Sequence, residues 1–398
     1  MACRDRLRPT AFSQALGMNV HGADDDGPGR EPRRMNRFNG GQSGSGASRG
    51  DHRAGATPTY AALDLGTNNC RLLVARPSRR GFVVVDAFSR IIRLGEGIGA
   101  SGMLSEGAMN RTFEALRVCA SKINRHGVSR SRLVATEACR VAQNGPGFLA
   151  RIDRDLGLNI ELLSREEEAK LAVSGCASLL DTASDLALVF DIGGGSTELI
   201  WLDLSRRHGQ WRRATADRLE AHACIAAWTS LPVGVVNLAD RFDGRLVDRT
   251  AFEAMVAEVA KLVAPFEAEH QFAPRLARKS AHLLGTSGTV TTLAGIKLGL
   301  PRYDRARVDG VWFATDDIRN VTASLVAKTY AERVAEPCVG RDRADLVLAG
   351  CAILEALCRI WPAPRLRVAD RGLREGILAT LMSEDGYHRG TGNSSHPR

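Results

Sequence analysis

Residues 60–74 read YAALDLGTNNCRLLV and residues 187–202 read ALVFDIGGGSTELIWL. Aligned on their aspartates, Asp64 meets Asp191, Gly66 meets Gly193, Asn69 meets Ser196 and Leu72 meets Leu199. Each copy is an apolar run that ends in Asp, a tight turn of Gly, Ser, Thr or Asn, and a second apolar run. Such a turn brings backbone N–H groups close to an anion, because glycine lets the chain approach without a Cβ in the way. Two turns facing one cleft would grip a chain of phosphates, and a metal ion with it, from both sides. The pattern points to phosphoryl-group chemistry and leaves open what accepts the group.

The 398 residues suggest about two to three domains. A hydrophobic content of 44% and a charged content of 25% are those of an ordinary globular chain. No apolar run approaches the ~20 residues of a membrane span, and MACRDRLRPT lacks the apolar core of a signal peptide. The nine cysteines are scattered with no CxxC pair, which suggests reduced thiols in a cytoplasm. The net charge of +9 fits either solvated arginines or attraction of a polyanion. Four Tyr and five Trp, without aromatic–basic alternation, argue against a single-stranded nucleic-acid platform.

Residues 1–57, with DDDGPGREPRR and GGQSGSGASRG, read as a disordered extension, and 385–398 as a disordered tail. The folded part is expected from Pro58, with Met18 and Met35 as later candidate starts. Strand patterns fall at 60–65, 70–75, 82–88, 132–136, 159–163, 186–191, 197–202 and 281–285, with a short one at Leu366–Ala369. Helical patterns fall at 105–126, 146–156, 165–180, 251–270, 315–329, 345–361 and about 371–383. This alternation predicts α/β layers. The segment 204–222 interrupts it as a basic insertion. Its Arg206, Arg207, Arg212 and Arg213 form either a solvated loop or a phosphate-attracting lip.

In the second turn, Gly193, Gly194 and Gly195 supply N–H groups, Ser196 and Thr197 supply hydroxyls, and Asp191 at the strand end is placed to hold Mg²⁺. Glu198, one residue further, suits a metal or a water, or is a plain strand residue. In LLSREEEAKLA (162–172), Ser164 and Glu167 have capping-box spacing, and Glu166 and Lys170 have i,i+4 pairing distance. Glu168 is left without such an explanation. It either orients water for in-line attack on phosphorus or complements the helix dipole. Arg140 in LVATEACRVA is expected beyond a strand's C-terminal end, and Arg93 sits in IIRLGEG. Each is a phosphate ligand or a structural ion-pair member. HLLGTSGTVTTLAG (282–295) is a third small-residue turn before a helix, and its Gly285, Ser287, Gly288 and Thr289 are candidate anion ligands.

Together these stretches resemble the Ppx/GppA phosphatase family, the exopolyphosphatases and guanosine pentaphosphate phosphohydrolases, from about Thr59 to about Leu381. LDLGTNNCRLLV, RLGEG, ATEACR, REEEAKLA, FDIGGGSTEL, LPVGVVNL, GTSGTVTTLAG and RVADRGLREGIL occur in the family's order. The resemblance implies the actin, sugar-kinase and Hsp70 superfamily. It also implies two ribonuclease-H-like domains, residues 58–180 and 181–384, flanking an active-site cleft, with the last helix free to pack back on the first domain. By position, the catalytic glutamate falls on Glu168, the metal-linked acids on Asp64, Asp191 and Glu198, and the phosphate-binding arginine on Arg140. The first turn then adds Gly66, Thr67, Asn68 and Asn69 as phosphate ligands. Mg²⁺ dependence and release of terminal phosphate from polyphosphate or pppGpp follow as expectations, with a homodimer plausible from the superfamily. The sequence stops soon after RGLREGIL without a His-Asp doublet, so no C-terminal HD-type domain is expected. A superfamily kinase lacks support, because no sugar-site signature is present. A non-catalytic polyphosphate or pppGpp sensor is the other alternative.

Overall fold

The computed structural model describes residues 57–79, 81–206 and 221–387. The extension up to residue 56, Arg207, Arg212 and Arg213, and the tail from residue 388 lie outside the described residues.

β1 (Tyr60–Leu65), β2 (Asn69–Ser78) and β3 (Gly81–Ile91) form an antiparallel meander. β4 (Arg130–Ala135) and the short β5 (Glu161–Leu162) add to it in parallel, in the order β3-β2-β1-β4-β5. β1 is buried on both faces, as a strand between two helical layers must be. Ala61, Leu63 and Leu65 face one cluster with Leu72, Val74 and the helix α1 (Glu106–Arg125). Tyr60 and Ala62 face the other. This is the period-two alternation of a strand. Ser105 caps α1, its hydroxyl accepting from the Ala108 N–H at 3.3 Å, and Lys122 and Arg125 close its last turn where cations suit the dipole. After β4 the chain makes the single turn α2 (Glu137–Val141) and then α3 (Gly145–Leu156).

The helix α4 (Arg165–Cys176) carries the chain to the second sheet. Here β6 (Leu186–Ile192), β7 (Thr197–Asp203) and β8 (Ile225–Leu231) are antiparallel, and β9 (Ala281–Gly285) pairs in parallel with β6. β10 (Trp312–Ala314) and β11 (Arg365–Val368) complete the order β10-β11-β9-β6-β7-β8. From the meander outward, 8-7-6-9-11 repeats 3-2-1-4-5. The duplication seen in the two turns therefore extends to two whole sheets, a two-domain α/β arrangement. β6 repeats β1 in detail: Leu188, Phe190 and Ile192 face one cluster, Ala187 and Val189 the other. The helices α5 (Val235–Phe242), α6 (Arg249–His270), α7 (Gly288–Lys297), α8 (Thr315–Ala327) and α9 (Val347–Ile360) cover this sheet. Residues 231–236, LPVGVV, run from the end of β8 to the start of α5.

The last helix, α10 (Leu373–Glu384), leaves β11 and lies on the first sheet. Its Ile377, Leu378, Leu381 and Met382 pack with Tyr60, Ala62, Leu73 and Val134. It also lies against α4 so closely that a Cβ on Gly376 would enter the Leu171 backbone, and one on Gly175 the Gly372 carbonyl. Both obstacles are main chain and cannot rotate away. G376A is therefore expected to lose about 1–3 kcal/mol of stability from overpacking, read as a lowered urea midpoint. An unchanged midpoint contradicts this packing.

Candidate active site

The two quoted turns share one hydrogen-bond pattern. The Gly66 N–H donates to the Asn69 carbonyl at 2.9 Å, and the Gly193 N–H donates to the Ser196 carbonyl at 2.9 Å. Each is held from behind by a motif whose purpose the sequence left open. The N–H of Gly95 donates to the Thr67 carbonyl at 2.9 Å and that of Ile92 to the Asn68 carbonyl at 2.8 Å. A Cβ on Gly95 would strike the Thr67 methyl. The second turn rests on the start of α5. The Val235 N–H donates to the Gly193 carbonyl at 2.9 Å, that of Val236 to the Gly194 carbonyl at 2.8 Å, and the Asn237 amide to the Gly195 carbonyl at 2.8 Å. RLGEG and LPVGVVNL are thus buttresses.

The turns meet across the cleft. A Cβ on Gly194 would lie 2.8 Å from the Thr67 Cβ and 3.0 Å from the Asn68 N, and one on Gly195 would lie 2.9 Å from the Thr67 Oγ1. Beside this contact is a cavity of 130 Å³ lined by both turns with Asp64, Arg71, Glu137, Glu168, Asp191 and Glu198. Ser287, Gly288 and Thr289 line it from the start of α7, where the Ser287 hydroxyl accepts from the Val290 N–H at 3.3 Å. Asn68 Oδ1, also at this wall, is buried without a hydrogen-bond partner among the described residues.

Glu168 sits in the first turn of α4. Ser164 caps that helix, accepting from the Glu167 N–H at 3.2 Å, and Glu166 pairs with Lys170 at 2.6 Å. The Glu167 side chain does not return to the cap as the capping-box spacing suggested. It pairs with Arg132 on β4, a strand neighbour that local spacing does not reveal. Glu168 alone of the three turns into the cavity. Arg140 is in α2, the single turn that follows the C-terminal end of β4. It donates to Glu168 at 2.9 Å, to the Leu163 carbonyl at 2.7 Å and to Glu137. Arg165 donates to the same Glu137 at 2.7 Å.

Across each hairpin the register pairs Asp64 with Arg71 and Asp191 with Glu198. Burial raises the Asp64 carboxyl, with Arg71 opposing. Burial, and then the charge of Glu198, push Asp191 up to about 8. Burial also raises Glu198, although its Oε1 accepts from Ser196 at 2.8 Å and Ser230 at 2.9 Å. Glu168 is pushed well above the usual carboxylate range by burial and then by Glu198, with Arg140 opposing. Crowded, desolvated carboxylates of this kind favour a cation among them. Among the described residues no three His, Cys, Asp or Glu side chains converge as a metal cage, so Asp64, Asp191 and Glu198 are not a closed three-ligand set. The donor set fits an ion that keeps its waters and takes one or two carboxylates plus phosphate oxygens, as Mg²⁺ does.

Four expected ligands stand elsewhere. Arg140 does not line the cavity, because its guanidinium is bound to Glu137, Glu168 and the Leu163 carbonyl. Arg93 pairs with Asp345 at 2.7 Å and does not line the cavity, so it is a bridge between the sheets. The Thr197 hydroxyl donates to the Val233 carbonyl at 2.6 Å. Gly285 is at the buried end of β9, where a Cβ would lie 2.6 Å from the Phe190 ring, so it is a packing glycine. Arg71, Glu137 and Arg343 line the cavity and were not anticipated. The hairpin alignment that pairs Asp64 with Asp191 also pairs Arg71 with Glu198, a signal present in the sequence. Arg343 comes from a loop without a motif.

The sequence matches the Ppx/GppA phosphatase family over residues 73–385, and the chain belongs to that family. It is a hydrolase of phosphoanhydride bonds with the two-domain actin-like fold. Exopolyphosphatase 2 of Mycobacterium tuberculosis is 29% identical over 343 residues, covering 82% of this chain and 99% of that one. The guanosine-5′-triphosphate,3′-diphosphate pyrophosphatase of Aliivibrio fischeri is 28% identical, and the match covers 82% of this chain and 60% of that longer relative. The crystal structure of the Aquifex aeolicus family member matches with a TM-score of 0.63 at 27% identity, covering 83% of this chain and 99% of its own. An exopolyphosphatase structure from Cytophaga hutchinsonii shares the fold with a TM-score of 0.69.

The contact between the turns sets the cavity width, so G194A is expected to force them apart. Phosphate release falls about 10- to 100-fold, the scale of a misplacement near 1 Å. Adding T67G, which clears the obstructing side chain, restores part of it. An activity equal to wild type in G194A contradicts the contact.

Proposed function

We propose that the cleft releases terminal orthophosphate from linear polyphosphate, with the 5′-triphosphate of pppGpp as a second substrate of the same chemistry. The observation that carries this is Glu168, an acid with no ion-pairing duty on its own helix, facing a cavity walled by both phosphate turns. The near full-length match to an exopolyphosphatase supports polyphosphate first, since the pyrophosphatase relative is covered for only 60% of its length.

The N–H groups of Gly194 and Gly195, with Gly66, Thr67, Asn68, Asn69, Gly193, Ser196, Gly288 and Thr289, surround the phosphate chain. Glu168 takes a proton from water as the water oxygen bonds to the terminal phosphorus. The bridging P–O bond breaks, and the shortened chain leaves with the bridging oxygen. Arg140 holds the Glu168 carboxylate in place, and Glu137 in turn holds Arg140. Mg²⁺, held by Asp64 and Asp191 with Glu198 nearby, would neutralise charge on the transferring group. The described cysteines are all buried and none forms a disulfide, and no helix among the described residues is long and apolar enough to cross a membrane. Both facts support a cytoplasmic setting. A homodimer belongs to the reading through its superfamily, with sedimentation equilibrium as its check.

E168Q is expected to lose about 10²–10⁴-fold in kcat, measured as phosphate release from long polyphosphate, short polyphosphate and pppGpp with and without Mg²⁺. Near wild-type release with the fold intact sinks the assignment. A raised Glu168 must lose its proton before it can act, so activity falls as pH drops through a value above the ordinary carboxylate range. Arg140 opposes that rise, so R140Q moves the acid limb of the pH profile upward. A limb that stays in place breaks the link between the two residues.

A further inference from the structure

Behind the aspartates lies a second chamber of 400 Å³. It adjoins the first cavity, and Asp64, Arg71, Asp191, Ser287, Gly288 and Arg343 line both. Its far side is bounded by Ala87 and Ser89, exposed residues of the edge strand β3, so it reaches solvent away from the two turns. Five arginines line it. Two are committed: Arg305 pairs with Glu375 at 2.8 Å and Arg371 pairs with Asp309. Arg71, Arg343 and Arg374 are not. Among the described residues none of the three has a carboxylate oxygen within salt-bridge distance, and the only hydrogen bond of their guanidiniums runs from Arg343 to the Thr292 hydroxyl at 3.2 Å. All three are partly buried.

Partly buried guanidiniums that repel one another without counter-charges are costly unless an anion completes them. The start of α7 adds to the same demand, because Ser287 and Gly288 present the positive end of that helix to both spaces. Once Asp64 and Asp191 serve a cation, the chamber's other acids are Glu375, already paired with Arg305, and Asp370, already bound by Tyr303, and neither forms a salt bridge with Arg71, Arg343 or Arg374.

We infer that this chamber is a second phosphate-oxyanion subsite, formed by Arg71, Arg343, Arg374 and the start of α7, on the side of the aspartates opposite the two turns. The inference rests on the hydrolase reading only for where the phosphate comes from. Two sources carry the same chemistry: the orthophosphate just cleaved, leaving by a route separate from chain entry, or further phosphates of the bound chain.

Arg374 and Ser89 line only this chamber, so R374Q and S89E test it. S89E adds a repelling carboxylate on an exposed strand, which keeps a test available if R374Q folds poorly. Titration calorimetry with orthophosphate and Mg²⁺ on the E168Q protein is expected to show two classes of site. Either added substitution removes one class or weakens it at least about tenfold. A single class in E168Q, or two classes unchanged in both variants, overturns the inference. Because this readout needs no turnover, it stands apart from any failure of the hydrolase reading. Kinetics in the E168 background then identify the source. An increased inhibition constant for orthophosphate with KM unchanged marks the product. A KM raised for long but not short polyphosphate marks the chain.

Discussion

The contact of Thr67 and Asn68 with Gly194 and Gly195 is the constraint from which most of this structure can be understood. Two backbone turns can approach so closely only where one of them lacks side chains. Three consecutive glycines in the second turn, facing threonine and asparagine in the first, are the outcome. The approach must also be held rigid, and each turn has its own buttress: Gly95 behind the first, Gly234 and Asn237 behind the second. The sheets behind the turns serve the same end, because each turn joins the central strand of a meander to its neighbour.

The two halves repeat in backbone but diverge in charge. Arg71 and Glu198 occupy the same hairpin position, so one aspartate faces a cation and the other a carboxylate. At Asp191 burial is the larger influence and Glu198 the second. Both make a bare negative charge on Asp191 unfavourable. The duplication supplies two grips, and the divergence at one position gives them different chemistry.

Much of this was legible in the sequence. The family resemblance that the paired turns help to carry implied two like domains, and the apolar runs flanking each turn are the strands β1, β2, β6 and β7. Glu168 was found by elimination, and that survives even though Glu167 pairs with Arg132 instead of the cap, since either use removes Glu167 from the cavity. What failed was information that sequence spacing does not carry. Gly285 looked like an anion ligand because it sits in a Gly/Ser/Thr turn, yet Phe190 from another strand explains it. Arg93 and Arg343 lie in irregular loops, and only the tertiary fold decides that the first bridges to Asp345 while the second lines the cavity.

The chain passes between the two sheets through α4 and returns through α10, and these helices touch main chain to main chain at Gly175–Gly372 and Leu171–Gly376. Interlocked side chains can re-register by a rotamer change, but apposed backbones cannot. The crossing therefore resists sliding and fixes the register of the two halves, on which the meeting of Thr67 with Gly194 depends.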